Sequence, residues 1–75
     1  MKDLVEVIVR ALVDNPDDVR ITESVNGNKI RLTLNVNPDD MGKVIGRHGK
    51  IAKSIRTVLK AYATKTDVYV DLDIE

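Results

Sequence analysis

The chain has 75 residues, 43% of them hydrophobic, and its 12 Lys and Arg residues balance its 12 Asp and Glu residues. This length accommodates one small core, so residues 1–75 are expected to form a single domain, and the absence of cysteine excludes disulfides and thiolate metal sites. No stretch is long and apolar enough to span a membrane, and acidic residues near the N-terminus do not fit a signal peptide, so a cytoplasmic location is expected.

The first predicted element is an amphipathic helix over residues 2–13. Its apolar residues recur at helical spacing and form one stripe, which consists of Leu4, Val5, Ile8, Val9, Leu12 and Val13. The polar cluster 14–18 is expected to end this helix, because Asn15 precedes proline and such a residue disfavours helical dihedral angles.

Two strands with alternating apolar and polar residues are predicted next, over about 19–26 and 30–37. The segment Asn26-Gly27-Asn28 separates them and supplies the positive φ angles of a tight turn, so the strands are expected to pair antiparallel. Glu23 interrupts the apolar face of the first strand, which indicates an edge strand or a bulge.

Two helices joined by a short glycine loop are predicted after these strands. Asn37 suits the cap of the first helix, Pro38 suits its first turn, and Gly46 is expected to end it. The second helix is predicted from about Lys50 to Thr64. Its apolar stripe consists of Ile51, Ala52, Ile55, Val58, Leu59 and Tyr62.

A third strand is predicted over 68–74, and the two helices before it form a crossover long enough for a parallel connection. The predicted fold is therefore an α+β domain of order α-β-β-α-α-β, with three helices on one face of a three-stranded mixed sheet. The other face is expected to carry Arg20, Arg31, Tyr69 and Asp71 towards solvent.

Positive charge is concentrated in residues 41–65, which contain seven Lys and Arg and no acid. All twelve acids lie elsewhere, beside five basic residues. A run of lysines is often only a solvated helix surface, but complete separation of sign predicts one positive face, which is typical of a polyanion binder.

The segment Val44-Ile45-Gly46-Arg47-His48-Gly49-Lys50 joins the two predicted helices. Glycine allows another backbone to approach closely, and a helix that begins after Gly49 leaves N–H groups available beside cationic side chains, which suits a phosphate. The spacing fits neither a P-loop nor a dinucleotide-binding motif, because Val44 stands where each requires glycine. A helix-ending glycine followed by a short turn is the alternative interpretation.

The order of elements, with Gly46-Arg47-His48-Gly49 between the last two helices, resembles the type II KH domain of bacterial proteins over the whole chain. Together with Met41-Gly42-Lys43 and Ile55-Arg56-Thr57, it is similar to the small bacterial RNA-binding proteins of the KhpA family, also called YlqC. The resemblance implies single-stranded RNA as ligand, without catalysis, cofactor or metal. In KH domains a GXXG loop clamps four nucleotides.

The resemblance also implies which residues bind. The RNA-binding set is Lys43, Val44, Ile45, Gly46, Arg47, His48, Gly49, Lys50 and Lys53. The floor of an apolar groove for bases would comprise Val44, Ile45, Ile51, Ala52 and Ile55. The family further implies a homodimer or a pairing with a KhpB/Jag-type KH protein, and a role in post-transcriptional control, RNA chaperoning and growth of the cell wall.

The composition restricts how RNA is held. Tyr62 and Tyr69 are the only aromatic residues, so stacking platforms are nearly absent and an aliphatic groove fits better. Because one loop and one groove hold few nucleotides, weak and salt-sensitive binding is expected from a single copy.

Two other functions compete with RNA binding. A protein-interaction adaptor would use the loop only structurally and would present apolar residues such as Val58 and Tyr62, although core packing also explains them. An enzyme is disfavoured, because His48 is the only histidine and no carboxylate lies in the segment around it. Asp71 and Asp73 alternate on a strand, where solubility and edge protection explain them.

Overall fold

The computed structural model describes residues 1–75 and contains three helices and three strands in the predicted order. They are α1 (Lys2–Leu12), β1 (Arg20–Asn26), β2 (Lys29–Asn35), α2 (Met41–Ile45), α3 (Lys50–Lys65) and β3 (Tyr69–Ile74). Three short 3-10 segments, at Pro16–Asp18, Pro38–Asp40 and Arg47–Gly49, lie between them. The predicted α+β class is confirmed. No helix combines the length and the apolar character that crossing a membrane requires.

The strand β2 lies at the centre of the sheet, whose order is β1-β2-β3. The strand β1 pairs antiparallel with it through the turn at Gly27, which has a φ of 63°, and β3 pairs parallel to it. The mixed sheet is therefore confirmed. Of the two alternatives for β1, an edge strand or a bulge at Glu23, the structure shows the edge strand. Glu23 pairs with Leu32 in a continuous register, so there is no bulge. The face without helices carries the four predicted residues, all exposed: Arg20, Arg31, Tyr69 and Asp71.

One apolar core lies between the sheet and the helices and draws on every helix. Its most buried side chains, at 0–1% exposure, are Val5, Val9, Leu32, Leu34, Val44 and Leu59. Burial of one such side chain contributes about 1.5–3 kcal/mol relative to leaving it exposed. Because Val44 belongs to this core, it anchors the short helix α2, and with it the glycine loop that follows.

Several apolar residues of the predicted stripes lie at the surface instead. Leu12 is 36% exposed, Val58 is 48% exposed and Tyr62 is 47% exposed. In α3 the centre of the stripe, at Ile55 and Leu59, packs inwards while Val58 and Tyr62 lie on its flank. The stripes are narrower than predicted because the small fold has no further element to cover their flanks.

Candidate nucleic-acid interface

The loop between α2 and α3 reverses the chain in four residues, Gly46-Arg47-His48-Gly49. The Gly46 N–H donates to the Gly42 carbonyl at 2.9 Å and ends α2, and the Gly49 N–H donates to the Gly46 carbonyl at 3.1 Å. Gly46, His48 and Gly49 all have positive φ angles, of 77°, 57° and 71°. The loop is therefore a defined turn with its own hydrogen bonds.

The two glycines of the loop have different roles. A Cβ on Gly46 would lie 2.6 Å from Ile51 Cγ1 and 2.9 Å from the Ile51 backbone nitrogen, so glycine lets the loop pack against the first turn of α3. The Gly46 dihedral angles, φ 77° and ψ 173°, belong to a region that is essentially restricted to glycine. A Cβ on Gly49 would meet nothing within 4 Å. Gly49 therefore leaves space at the loop surface, where a ligand backbone has room to approach.

The cationic side chains of the loop face solvent. Arg47, His48 and Lys50 are exposed, and none of them takes part in an ion pair within the protein. The helix α3 begins at Lys50 without a side-chain cap, so the positive end of its dipole also faces the loop. Exposed cations, a helix N-terminus and an open glycine together form a surface suited to phosphate.

A groove of about 880 Å³ lies between α3 and β3, and none of its lining residues belongs to the GXXG loop. Its charged lining is mixed, because Arg56 and Lys60 of α3 face a strand side that carries Asp71 and Asp73. The Arg56 Nε donates to the Leu72 carbonyl at 3.1 Å. The predicted RNA-binding set contains none of the residues that line this groove. The sequence did carry a sign of this part of the surface, because Arg56 and Lys60 are four residues apart and so lie on the same side of α3.

The residues expected to form the apolar floor divide into two groups. Val44, Ala52 and Ile55 are 0%, 2% and 4% exposed, so they contribute to the core and present no contact surface. Ile45 and Ile51 remain half-buried beside the loop. The apolar floor next to the loop is therefore reduced to these two side chains.

The expected RNA-binding residues outside the loop also differ from one another. Lys53 is exposed on α3, whereas the Lys43 Nζ lies 3.1 Å from Asp14 Oδ2 and 3.5 Å from Asp40 Oδ1. The hydrogen bond and charge of Asp14 raise the pKa of Lys43 above its ordinary value of 10.5, although burial opposes them, and Asp40 adds to the rise. Lys43 therefore keeps its positive charge, and carboxylates of the same chain balance it.

No three His, Cys, Asp or Glu side chains come together where they would hold a metal ion. The order α-β-β-α-α-β, the mixed sheet and the four-residue glycine turn between α2 and α3 define a type II KH domain. The family model described as KhpA/KhpB, KH domain, matches residues 2–74. The chain belongs to this family, which is a family of KH domains and not of enzymes.

Curated relatives match almost the full length of the chain. The RNA-binding protein KhpA of Halalkalibacterium halodurans is 55% identical over 74 residues, which cover 99% of this chain and 97% of the relative. The RNA-binding protein KhpA of Clostridium perfringens is 53% identical over 99% of both chains. That of Aquifex aeolicus is 43% identical over 99% of this chain and 94% of its own. No solved structure matches the chain.

Proposed function

We propose that the protein binds single-stranded RNA by holding the sugar-phosphate backbone against its GXXG loop. The observation that carries this proposal is the loop itself, in which Arg47, His48 and Lys50 are exposed and unpaired beside a glycine with open space. The relatives described above are each named RNA-binding proteins, which supports RNA as the ligand.

Phosphate and bases take separate parts of this surface. A phosphate approaches the main chain at Gly49, where no side chain intervenes, and Arg47 and Lys50 neutralise its charge. The neighbouring bases lie on the half-buried Ile45 and Ile51, and a longer strand would reach the separate α3–β3 groove, whose lining includes Asp71 and Asp73. A surface of this size suits a few unpaired nucleotides, as a cytoplasmic post-transcriptional regulator or RNA chaperone would require.

The test is a titration of the protein with a labelled, unstructured single-stranded RNA and with a duplex of the same sequence, at several salt concentrations. Each phosphate contact contributes about 0.7 to the log-log salt slope for a single strand, so three contacts predict a slope of about 2. The duplex is expected to bind about tenfold more weakly or worse, because it offers no unstacked bases to the groove. Equal affinity for both forms, or binding that does not depend on salt, would contradict the proposal.

A second function, in protein–protein contact, is favoured by the exposed apolar flank of α3. Val58 and Tyr62 lie one helical turn apart and are each about half exposed, at 48% and 47%. We propose that this flank contacts a second copy of the chain or a KhpB/Jag-type KH protein. Two linked loops would bind one RNA more tightly than either alone, through effective concentration.

Replacing Val58 with aspartate is expected to convert a dimer into a monomer in analytical ultracentrifugation, because a charge in an apolar contact must be desolvated without a partner. The matched control is Thr57→Asp, which places the same charge on an exposed residue outside the apolar stripe. This control should sediment like the wild type. A wild-type protein that remains monomeric at every concentration and retains no KH-domain partner would exclude the second function.

A further inference from the structure

One buried carboxylate joins the loop after α1 to the start of α2. Asp40 is 1% exposed, and its side chain accepts hydrogen bonds from the Asp14 N–H at 3.2 Å, the Asn15 N–H at 3.0 Å and the Asn15 side-chain amide at 3.1 Å. Burial raises the pKa of Asp40, but these hydrogen bonds and the charge of Lys43 outweigh it and hold the pKa below 3.8. The carboxylate is thus kept charged as a fixed connection between two loops.

Lys43 lies three residues after Asp40, in α2, and pairs with both acids. Its Nζ lies 3.1 Å from Asp14 Oδ2 and 3.5 Å from Asp40 Oδ1. We refer to Asp14, Asp40 and Lys43 as the clasp. Asp40 directly precedes α2, yet its side chain makes no capping hydrogen bond and reaches the loop after α1 instead. The Asp40 contacts therefore fix the position of α2 against the loop after α1, and they do not cap the helix.

The helix α2 depends on such external contacts, because its five residues are too few to be stable alone. Val44 anchors one side of it in the core, and the clasp holds its first turn. Its last hydrogen bond runs from the Gly46 N–H to the Gly42 carbonyl, and Gly46 is the first residue of the GXXG loop. The position of α2 consequently determines where the loop presents its N–H groups and Arg47.

We infer that the clasp positions the GXXG loop for RNA, and that Lys43 is a positioning residue and not a phosphate contact. The inference rests on the proposed function of the loop. A phosphate at Lys43 would lie beside the carboxylates of Asp14 and Asp40, which repel it. Neither Arg47 nor Lys50 forms an ion pair with a carboxylate of the protein.

The experiment compares Lys43→Met with Lys50→Met, since methionine keeps the apolar stem of lysine and removes only the charge. Lys50→Met is expected to lower the salt slope of RNA binding by about 0.7, the value of one contact on a single strand. Lys43→Met should leave the slope unchanged while affinity falls about threefold, because the loop is less well preorganised. Amide hydrogen exchange at Gly46 should become at least about threefold faster in Lys43→Met and stay unchanged in Lys50→Met.

A salt slope lowered equally by both variants would overturn the inference and leave RNA binding by the loop intact. Unchanged Gly46 exchange in Lys43→Met would likewise overturn the positioning role. A wild-type protein without measurable RNA binding would instead defeat the proposed function on which the inference rests. The three results are distinguishable because they come from different proteins or different measurements.

Discussion

Replacing both Arg47 and His48 with aspartate is expected to lower affinity for single-stranded RNA by about 100-fold or more. A hydrogen bond to a charged group contributes roughly 1.5–3 kcal/mol, and two such contacts account for a loss of at least about 100-fold. Each new carboxylate also repels the phosphate that the original side chain bound. Fluorescence anisotropy with a labelled single strand measures the change.

The fold should survive this double substitution. Both side chains are exposed, and aspartate is among the residues that tolerate the positive φ of 57° found at His48. The circular dichroism spectrum should therefore match that of the wild type. A control variant, Lys2→Asp with Lys29→Asp, reverses two charges outside the positive segment and should retain most of the affinity. Unchanged RNA affinity in the folded loop variant would show that the loop does not bind the backbone.

Replacing Gly46 with alanine should destabilise the protein by roughly 2–6 kcal/mol. The unusual dihedral angles contribute about 1–3 kcal/mol, and forcing a Cβ against Ile51 contributes about 1–3 kcal/mol more. The clash includes a backbone nitrogen at 2.9 Å, which has little freedom to move. Because a small domain has a total stability near the low end of about 5–15 kcal/mol, the variant should be largely unfolded or close to it in denaturant titrations.

Two other glycines provide matched controls for this effect. Gly49→Ala meets no neighbouring atom but keeps a φ of 71°, so it should cost about 1–2 kcal/mol. Gly42→Ala lies within α2, also meets nothing within 4 Å, and should stabilise the protein by about 0.5–1 kcal/mol through helix propensity. If Gly46→Ala proved as harmless as Gly42→Ala, the close packing of the loop against α3 would be refuted.

The arrangement of elements was predictable because each one carries a local signal. Apolar residues alternate along the strands and recur at helical spacing along α1 and α3, and Asn26-Gly27-Asn28 has the composition of a tight turn. The predicted end of α3, at Thr64, differs from the observed end by one residue. The glycine loop was predicted for the same reason, since Gly46 and Gly49 separate two helical patterns.

The contacts of individual side chains were less predictable because they depend on distant parts of the chain. Lys43 was expected to meet RNA, yet it pairs with carboxylates, one of them from the loop after α1, far away in sequence. Val44 was expected to line a groove and is fully buried. Helical spacing shows that Val58 and Tyr62 share a face with Leu59, but it does not show how far the neighbouring elements extend over that face.

Amide chemical shifts of isotope-labelled protein, followed by NMR during titration with a short single-stranded RNA, locate the bound strand residue by residue. If the GXXG loop holds the backbone, the largest shifts will fall on residues 46–50 and the first turn of α3, with smaller shifts along the α3–β3 groove. Shifts confined to the helix-free face of the sheet or to the flank at Val58 and Tyr62, with residues 46–50 unaffected, would place the RNA elsewhere and refute backbone capture by the loop.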